Sequence, residues 1–208
     1  MTEIKIAAKL VKELRDKTGA SIMECKKALA EAKGNLEKAT EYLRKHGKEK
    51  AAKKSDRTTA EGIVATYIHS NQKIGVILEL LCETDFVAKN SEFQELAHDL
   101  AMHIAAANPK YLSVSLIEKK ELKDFEKFTR DELASEKSAQ GRSASGGKPA
   151  AILEKIVSGK IKKHFDEIAL LSQPFIKNPD MTVDDLIKEK IAKIGENIQI
   201  GNFVRFEI

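Results

Sequence analysis

The sequence predicts an α+β protein with a small N-terminal helical domain and a larger core built on an antiparallel sheet. Apolar residues recur at helical spacing through the first part of the chain. Further along, two apolar segments flank a short polar turn, and the chain closes on another alternating segment. We place the helical domain and a following tether in residues 1–55 and the core in residues 56–208.

The N-terminal domain is predicted to contain three short helices between residues 4 and 47. Gly19 ends the first helix and Gly47 the third. Ser21 and Glu24 have the spacing of a capping box at the start of the second helix. The inner face of that second helix is predicted to consist of Ile22, Cys25, Leu29 and Ala32.

A charged segment from Lys45 to Lys54 follows and is predicted to be a partly helical tether. The core then begins near Thr59 with two strands, Ile63 to Ser70 and Ile74 to Cys82, which the turn between them joins into a hairpin. One face of the second strand is apolar and needs cover. The helix predicted to supply it carries Phe93, Leu96, Ala97, Leu100, Ala101, Ile104 and Ala105.

The second half of the chain is predicted to alternate helices with short extended segments. First comes a charged helix over 115–137, anchored by Leu116, Leu122, Phe125 and Leu133, and then a flexible connection from Ser138 to Lys148. A helix from Pro149 to about Phe165 follows, and after it a strand from Glu167 to Ser172. The chain ends with a helix beginning at Asp180 or Thr182 and a final strand from Asn197 to Ile208.

Composition narrows the class of protein. Apolar residues make up 42% of the chain, which supports a packed core, and a net charge of +4 with 33% charged residues indicates a surface of mixed sign. Cys25 and Cys82 are far apart and lie in apolar contexts, so we expect two buried thiols in a reducing compartment. Without a signal peptide or a membrane-length apolar run, the sequence favours a cytoplasmic protein.

Signals for an enzyme are weak. The segment from Gly141 to Pro149 superficially resembles a phosphate-binding loop, but its Lys is displaced and a Pro stands where Ser or Thr is needed. His98, Asp99 and His103 have the wrong spacing for a shared metal, so both histidines are expected to be partly solvated. No nucleophile, metal site or cofactor site is predicted.

The segment from Glu83 to Asn90 is the candidate functional site. It places the apolar pair Phe86 and Val87 just after the second strand, where loops are normally polar. A purely structural interpretation also exists, in which Phe86 caps the core and Asp85 caps the following helix. The residues of this segment alone leave both interpretations open.

Several segments, spread over the whole chain, together resemble one known family. They are Val11 to Arg15, Thr18 to Leu29, Thr84 to Val87, His103 to Ala106 followed by Pro109, Ser172 to Phe175, and Phe203 to Glu207. The set is similar to the signature segments of the elongation factor Ts family.

This resemblance implies a fold, a partner and a set of contact residues. The fold would be a ubiquitin-associated-like helical domain followed by an α+β core. The partner would be elongation factor Tu, from which the family promotes GDP release so that GTP can rebind. The resemblance implies that Ile22, Met23 and Val11 bind the partner. It assigns nucleotide release, through the Mg²⁺ site of the partner, to Thr84, Asp85, Phe86 and Val87.

The resemblance also suggests an assembly, because the middle of the core found in longer family members is missing here. We therefore expect a homodimer in which two sheets cover each other's apolar faces. No membrane and no direct nucleic-acid contact is implied. Two alternatives stay open: an RNA- or ribosome-associated module that uses the basic tether, and a structural scaffold without exchange activity.

Overall fold

A computed structural model describes residues 6–139 and 150–208 of the chain. The protein is α+β, as predicted, with helices α1 to α8 and strands β1 to β5 among the described residues. It divides into two compact units, one formed by Met1–Met102 with Asp184–Ile208 and the other by His103–Val183. Each unit is described by itself below.

Three helices open the first unit: α1 (Ala8–Thr18), α2 (Ile22–Glu31) and α3 (Leu36–Ala52). Gly19 follows α1 with φ of 67°, a left-handed conformation that glycine adopts without steric cost. The capping box between Ser21 and Glu24 is present at the start of α2. The three helices enclose a small core of their own, formed by Leu14, Cys25, Ala28, Leu29 and Ala39.

Two details of these helices differ from the prediction. Ile22 is not on the inner face of α2, since 55% of its surface is exposed. It is the first residue of the helix, one turn ahead of Cys25, and Ala28 occupies the buried position instead. Gly47 does not end the third helix, which continues to Ala52. A glycine inside a helix costs only about 1 kcal/mol relative to alanine, so neighbouring residues can carry the helix through it.

The last turns of α3 contact the helix α8 (Val183–Ile194) and the loop after it. Lys48 forms an ion pair with Asp185 at 2.5 Å, and Lys54 Nζ donates to the Gly195 carbonyl at 2.6 Å. A Cβ atom added to Gly47 would lie 3.4 Å from the Cβ of Ala192, so the missing side chain permits a close approach. The segment predicted as a tether is thus helical up to Ala52 and fastened at several points.

The sheet of the first unit has the order β1-β2-β5, and both pairings are antiparallel. The strands are β1 (Glu61–Ile68), β2 (Ile74–Cys82) and β5 (Ile198–Glu207), which confirms the predicted hairpin and final strand. The inner face of β2 was predicted to hold Ile74, Val76, Leu78, Leu80 and Cys82; the last four are buried, and Ile74 at the start of the strand is half-buried. Both cysteines are buried free thiols, as expected.

The opposite side of this sheet carries several exposed apolar residues. In the strand register Ile77 lies opposite Thr66 on β1 and opposite Val204 on β5, so all three share one side of the sheet. We call this side the outer sheet face; its exposed apolar residues are Val64, Ile68, Ile77, Val204 and Phe206.

Two helices follow β2: the single turn α4 (Asp85–Ala88) and the long α5 (Ser91–Ala107). The predicted apolar stripe of α5 is buried along its whole length. Near the middle of α5, the ring of His98 lies 5.7 Å from that of Tyr67 on β1, measured between centroids. The apolar stripe of α5, which was predicted to cover one face of β2, therefore belongs to the buried core.

The second unit holds α6 (Lys119–Ala139), α7 (Ala150–Ile168) and a two-stranded sheet of β3 (Pro174–Phe175) and β4 (Asn178–Thr182). The hairpin of β3 and β4 was not predicted. Helices α6 and α7 pack together through aromatic stacking, with the rings of Phe125 and His164 3.9 Å apart. Arg130 on α6 also donates to the Glu154 carboxylate on α7 at 2.8 Å.

The predicted strand from Glu167 to Ser172 is wrong. Helix α7 continues to Ile168, and Leu170 to Ser172 form a 3₁₀ turn. Only an isolated bridge between Tyr111 and Ala169 has strand-like pairing. The apolar run is short and Leu170 is fully buried, and periodicity cannot distinguish such a run from the end of a buried helix.

Other predictions for this half of the chain are corrected or lie outside the described residues. Leu116 lies in a 3₁₀ turn before α6 and is 60% exposed, so it does not anchor that helix. Helix α8 begins just after Thr182, whereas Asp180 belongs to β4. Of the connection predicted over 138–148, residues 138 and 139 belong to α6 and the remainder, with Pro149, lies outside the described residues.

His103 was expected to be partly solvated but is completely buried. Its Nε2 lies 2.9 Å from Gln173 Oε1, and the backbone N–H of Ile176 approaches its Nδ1 at 3.4 Å. The ring is therefore satisfied on both sides, which a pattern confined to one helix could not reveal. His98, by contrast, is exposed.

None of the helices in the described part of the chain combines the length and apolar character that a membrane span requires.

Candidate functional site

The candidate site begins where β2 leaves the sheet. After Cys82 the chain bends at Glu83, passes through Thr84 in extended conformation and enters α4, a single helical turn. Thr84 stands at the N-cap position of α4, with φ of −131° and ψ of 156°. Asp85 is thus inside the turn and does not cap it. This removes one half of the purely structural interpretation.

The ring of Phe86 is 82% exposed. It does not cap the core, which removes the other half of that interpretation. Its neighbour Ala88 is buried and anchors the turn, while Val87 is half-buried. Leaving a Phe in water forgoes about 1.5–3 kcal/mol that burial would supply, so a surface which buried this ring would gain substantially.

Asp85 forms an ion pair with Lys89 across the turn, with 2.8 Å between Oδ2 and Nζ. Hydrogen bonding from Lys89 holds the pKa of the Asp85 carboxyl below its usual value, and the same contact raises the pKa of Lys89. The carboxylate is therefore ionised at neutral pH, and it belongs to the residue that precedes the exposed Phe86.

The loop ahead of α4 is fixed from the loop that precedes β5. Glu196 Oε2 accepts hydrogen bonds from the backbone N–H groups of Glu83 and Thr84 at 3.1 and 3.0 Å. Glu196 Oε1 accepts from the Thr84 hydroxyl at 2.7 Å. In return, the backbone N–H of Asn197 donates to the Glu83 carboxylate at 2.6 Å. These hydrogen bonds hold the segment that leads into α4, the turn that carries Phe86.

Sequence reasoning did not identify Glu196 and Asn197. The available signal was a polar pair between the glycine that follows α8 and the final strand. Polar side chains at such a place commonly serve turns, and their partners lie more than a hundred positions earlier in the chain. Spacing along the sequence could not connect them.

The second group of predicted contact residues lies on the N-terminal helices. Ile22 and Met23 open α2 and are 55% and 73% exposed. Val11 on α1 is half-buried and packs against the small helical core. The first two are thus free to contact another molecule, whereas Val11 is mainly a packing residue with an accessible edge.

No group of three His, Cys, Asp or Glu side chains among residues 6–139 and 150–208 is arranged to hold a metal ion.

Comparison with known proteins decides the family. The family model described as "Elongation factor TS" matches residues 4–208, which is nearly the whole chain. The chain belongs to the elongation factor Ts family.

Curated elongation factor Ts proteins are similar over most of their length. The one from Thermosipho melanesiensis is 50% identical over 203 residues, covering 98% of each chain. The one from Alkaliphilus metalliredigens is 51% identical over 205 residues, covering 99% of this chain and 90% of the relative. The one from Thermodesulfovibrio yellowstonii is 49% identical over 203 residues, covering 98% and 96%. The resemblance drawn from the sequence segments is confirmed.

Membership in the elongation factor Ts family makes the chain a translation elongation factor by kinship. Within it, the predicted residues fall into two kinds. Phe86, Ile22 and Met23 present apolar side chains to solvent, while Thr84, Asp85, Val87 and Val11 are partly enclosed by their own subunit.

Proposed function

We propose that this chain is a guanine-nucleotide exchange factor which binds elongation factor Tu carrying GDP and promotes GDP release, so that GTP can rebind. The main support is the exposed ring of Phe86 on a turn that Glu196 holds in place. An apolar ring exposed in this way has no stabilising role in the free subunit. Family membership supplies the identity of the partner.

The step itself follows from how a GTPase holds its nucleotide. Backbone amides, a Lys and Mg²⁺ together neutralise the diphosphate, and Mg²⁺ demands near-ideal octahedral geometry. In our proposal Phe86 inserts between elements of the partner and displaces the structure that supports the ion. Asp85 adds a carboxylate that competes for nearby donors or repels phosphate. Thr84 and Val87 hold the two ends of this contact.

Burial of one Phe ring supplies only part of the free energy required, about 1.5–3 kcal/mol. The remainder has to come from other contacts. We assign part of it to Ile22 and Met23, with Val11 at their margin, on a helical domain that we propose to be ubiquitin-associated-like. Their exposure on the first turn of α2 supports this role.

The factor acts by linkage and without covalent chemistry or a cofactor of its own. If it binds the nucleotide-free GTPase more tightly than the GDP form, GDP must weaken factor binding by the same factor. Exchange then lowers the barrier to GDP loss without selecting the nucleotide that returns. We place this activity in the cytoplasm, as expected from the sequence.

We further propose a homodimer, with the outer sheet face as the contact. Val64, Ile68, Ile77, Val204 and Phe206 are exposed apolar residues on one side of a three-stranded sheet, which also carries Thr66 and Glu79. Exposed apolar patches of this kind mark interaction sites. A two-fold axis would place the same residues on both sides, so two copies satisfy each other.

The RNA-binding alternative is less well supported. It depends on free cations in the segment from Lys45 to Lys54. Lys48 contacts Asp185, Lys50 contacts Glu24, and Lys54 contacts the Gly195 carbonyl, so each is already engaged within the chain. Binding to phosphate backbones through these three lysines would have to break their contacts, which leaves Lys45 and Lys53 as the remaining lysines of the segment.

Release of fluorescent GDP from elongation factor Tu tests the proposal. We expect the chain to accelerate release in a saturable manner, and an unchanged release rate at saturating factor would refute the exchange function. Salt-dependent binding to RNA without any response to the GTPase would favour the alternative.

A further inference from the structure

Glu196 ties the loop before β5 to the loop after β2, directly ahead of the exposed Phe86. Its carboxylate accepts three hydrogen bonds, two from the backbone N–H groups of Glu83 and Thr84 and one from the Thr84 hydroxyl. Each of these donors would otherwise need water or another acceptor at a partly buried position. One side chain thus accepts from three donors of the segment that leads into α4.

The Thr84 hydroxyl shows how strongly this contact governs the turn. Thr84 stands at the N-cap of α4, where a Thr side chain normally accepts a hydrogen bond from the first turn. Here its side chain makes no cap hydrogen bond, and the hydroxyl donates to the Glu196 carboxylate at 2.7 Å. A four-residue helix without its own cap has little intrinsic stability, so its orientation depends on the outside contact.

A second layer of hydrogen bonds holds the loop that carries Glu196. Asn197 is buried, and its side-chain amide donates to the carbonyl groups of Ser55 and Arg57 at 3.3 and 2.8 Å. Its backbone N–H donates to the Glu83 carboxylate. Glu196 is therefore itself held at a fixed place relative to the segment after α3.

We propose that Glu196 is a positioning residue for nucleotide release, acting through Thr84 to hold α4 in the orientation that presents Phe86 to the partner. This inference rests on the proposed exchange function. A pre-organised turn loses little conformational entropy when it inserts, whereas a loosened turn must be ordered during the release step. Docking through Ile22 and Met23 does not involve this turn, so the maximal release rate changes and the half-saturating concentration does not.

The test uses four variants and a matched control, each titrated against elongation factor Tu loaded with fluorescent GDP. Glu196→Ala removes all three acceptors, and Thr84→Val removes only the hydroxyl. Glu196→Gln keeps an amide oxygen for the backbone donors and can donate to the Thr84 hydroxyl, while Thr84→Ser keeps the hydroxyl. Thr129→Val is the control, since Thr129 likewise donates its hydroxyl, to the Phe125 carbonyl on α6.

We expect Glu196→Ala to lower the maximal rate about tenfold, which corresponds to about 1.4 kcal/mol of barrier, with an unchanged half-saturating concentration. Thr84→Val should lower the maximal rate by a smaller factor. Glu196→Gln, Thr84→Ser and the control should stay within about twofold of wild type. Melting temperatures establish that each variant is folded.

The outcomes separate the two proposals. If wild type accelerates release but Glu196→Ala reaches the same maximal rate, or loses only affinity, the positioning role is refuted and the exchange function stands. Equal loss in the Thr129→Val control would likewise refute it. If wild type itself does not accelerate release, the exchange function fails, and the positioning role fails with it.

Discussion

Asp85 and Lys89 form an ion pair across the single turn of α4, one residue from the exposed ring of Phe86. The partners are exposed, so water and salt screen the pair and it can be exchanged for a contact with another protein at little cost. The turn therefore offers a ring that needs burial and a carboxylate that can be released. Four predictions follow from this site and from the rest of the described chain.

Replacing Phe86 by Ala should slow stimulated GDP release at saturating factor by about tenfold or more, because the lost burial is worth about 1.5–3 kcal/mol. Complex formation should change far less, since other contacts carry the affinity. Stopped-flow release of fluorescent GDP measures both. Phe128→Ala is the matched control, because Phe128 is also an exposed Phe, at 64%, on α6. Undiminished stimulation by Phe86→Ala would rule out insertion of the ring.

The double substitution Ile22→Ala and Met23→Ala should mainly weaken affinity. Removing two apolar contacts should raise the half-saturating concentration by about 10- to 100-fold, with the maximal rate preserved. Leu116→Ala serves as control, since Leu116 is a comparably exposed apolar residue outside this surface, at 60%. A lowered maximal rate with unchanged half-saturation would contradict the docking role.

The outer sheet face should hold two copies together. Ile77→Asp places a charge in the centre of that face, and burying an unpaired carboxylate costs several kcal/mol, so the variant should be a monomer. Light scattering at about micromolar concentration measures the mass, which for one chain is 23.1 kDa. Ile152→Asp on α7 is the control, because its exposure of 44% matches the 46% of Ile77. A wild-type mass of one chain would refute the dimer.

Burial lowers the pKa of His103, while the hydrogen bond to Gln173 partly offsets this effect. As the pH is lowered, His103 therefore becomes protonated near pH 6.5 in the unfolded chain, whereas in the folded chain it stays neutral to a lower pH. Stability is fully present above about pH 6.5 and falls as the pH drops below it, with a slope from this group of at most about 1.4 kcal/mol per pH unit.

Urea unfolding between about pH 5 and pH 7.5 measures that slope. His103→Gln should make it shallower, and His98→Gln, which replaces an exposed histidine of the same helix, is the matched control. An identical slope for His103→Gln and wild type would show that the buried ring is protonated as easily as in the unfolded chain.

The sheet and the first helices could be predicted from the sequence because their signals are local. Gly19 and the Ser21–Glu24 capping box are short-range determinants of helix ends, and the alternation in β2 determines its buried face. The wrong prediction that Gly47 ends the third helix arose because only this local signal was considered. The local preference of glycine against helix is small, and contacts of α3 with α8, which lies far away in sequence, outweigh it.

In the candidate site, too, local features could be predicted from the sequence and long-range contacts could not. An apolar Phe86 in a loop position was visible in the sequence, whereas its supporting residue Glu196 was not, because the hydrogen bonds join segments 112 and 113 positions apart. The strand wrongly predicted near Leu170 and the buried state of His103 have this cause too. Each depends on neighbours that only the folded chain brings together.

Helix α3 is continuous from Leu36 to Ala52, and its last turns are fastened to α8. The direction in which α1 and α2 project consequently depends on the rotation about the α3 axis, which the number of residues in α3 determines. Helices α1 and α2 pack on the first half of α3, at Leu36, Ala39, Tyr42 and Leu43. One residue inserted after Leu43 would rotate those two helices by about 100°, advance them about 1.5 Å and separate Lys50 from Glu24. The number of residues in α3 thus sets the angle between Met23 and Phe86, and any GTPase that accepts both at once must be shaped to that angle.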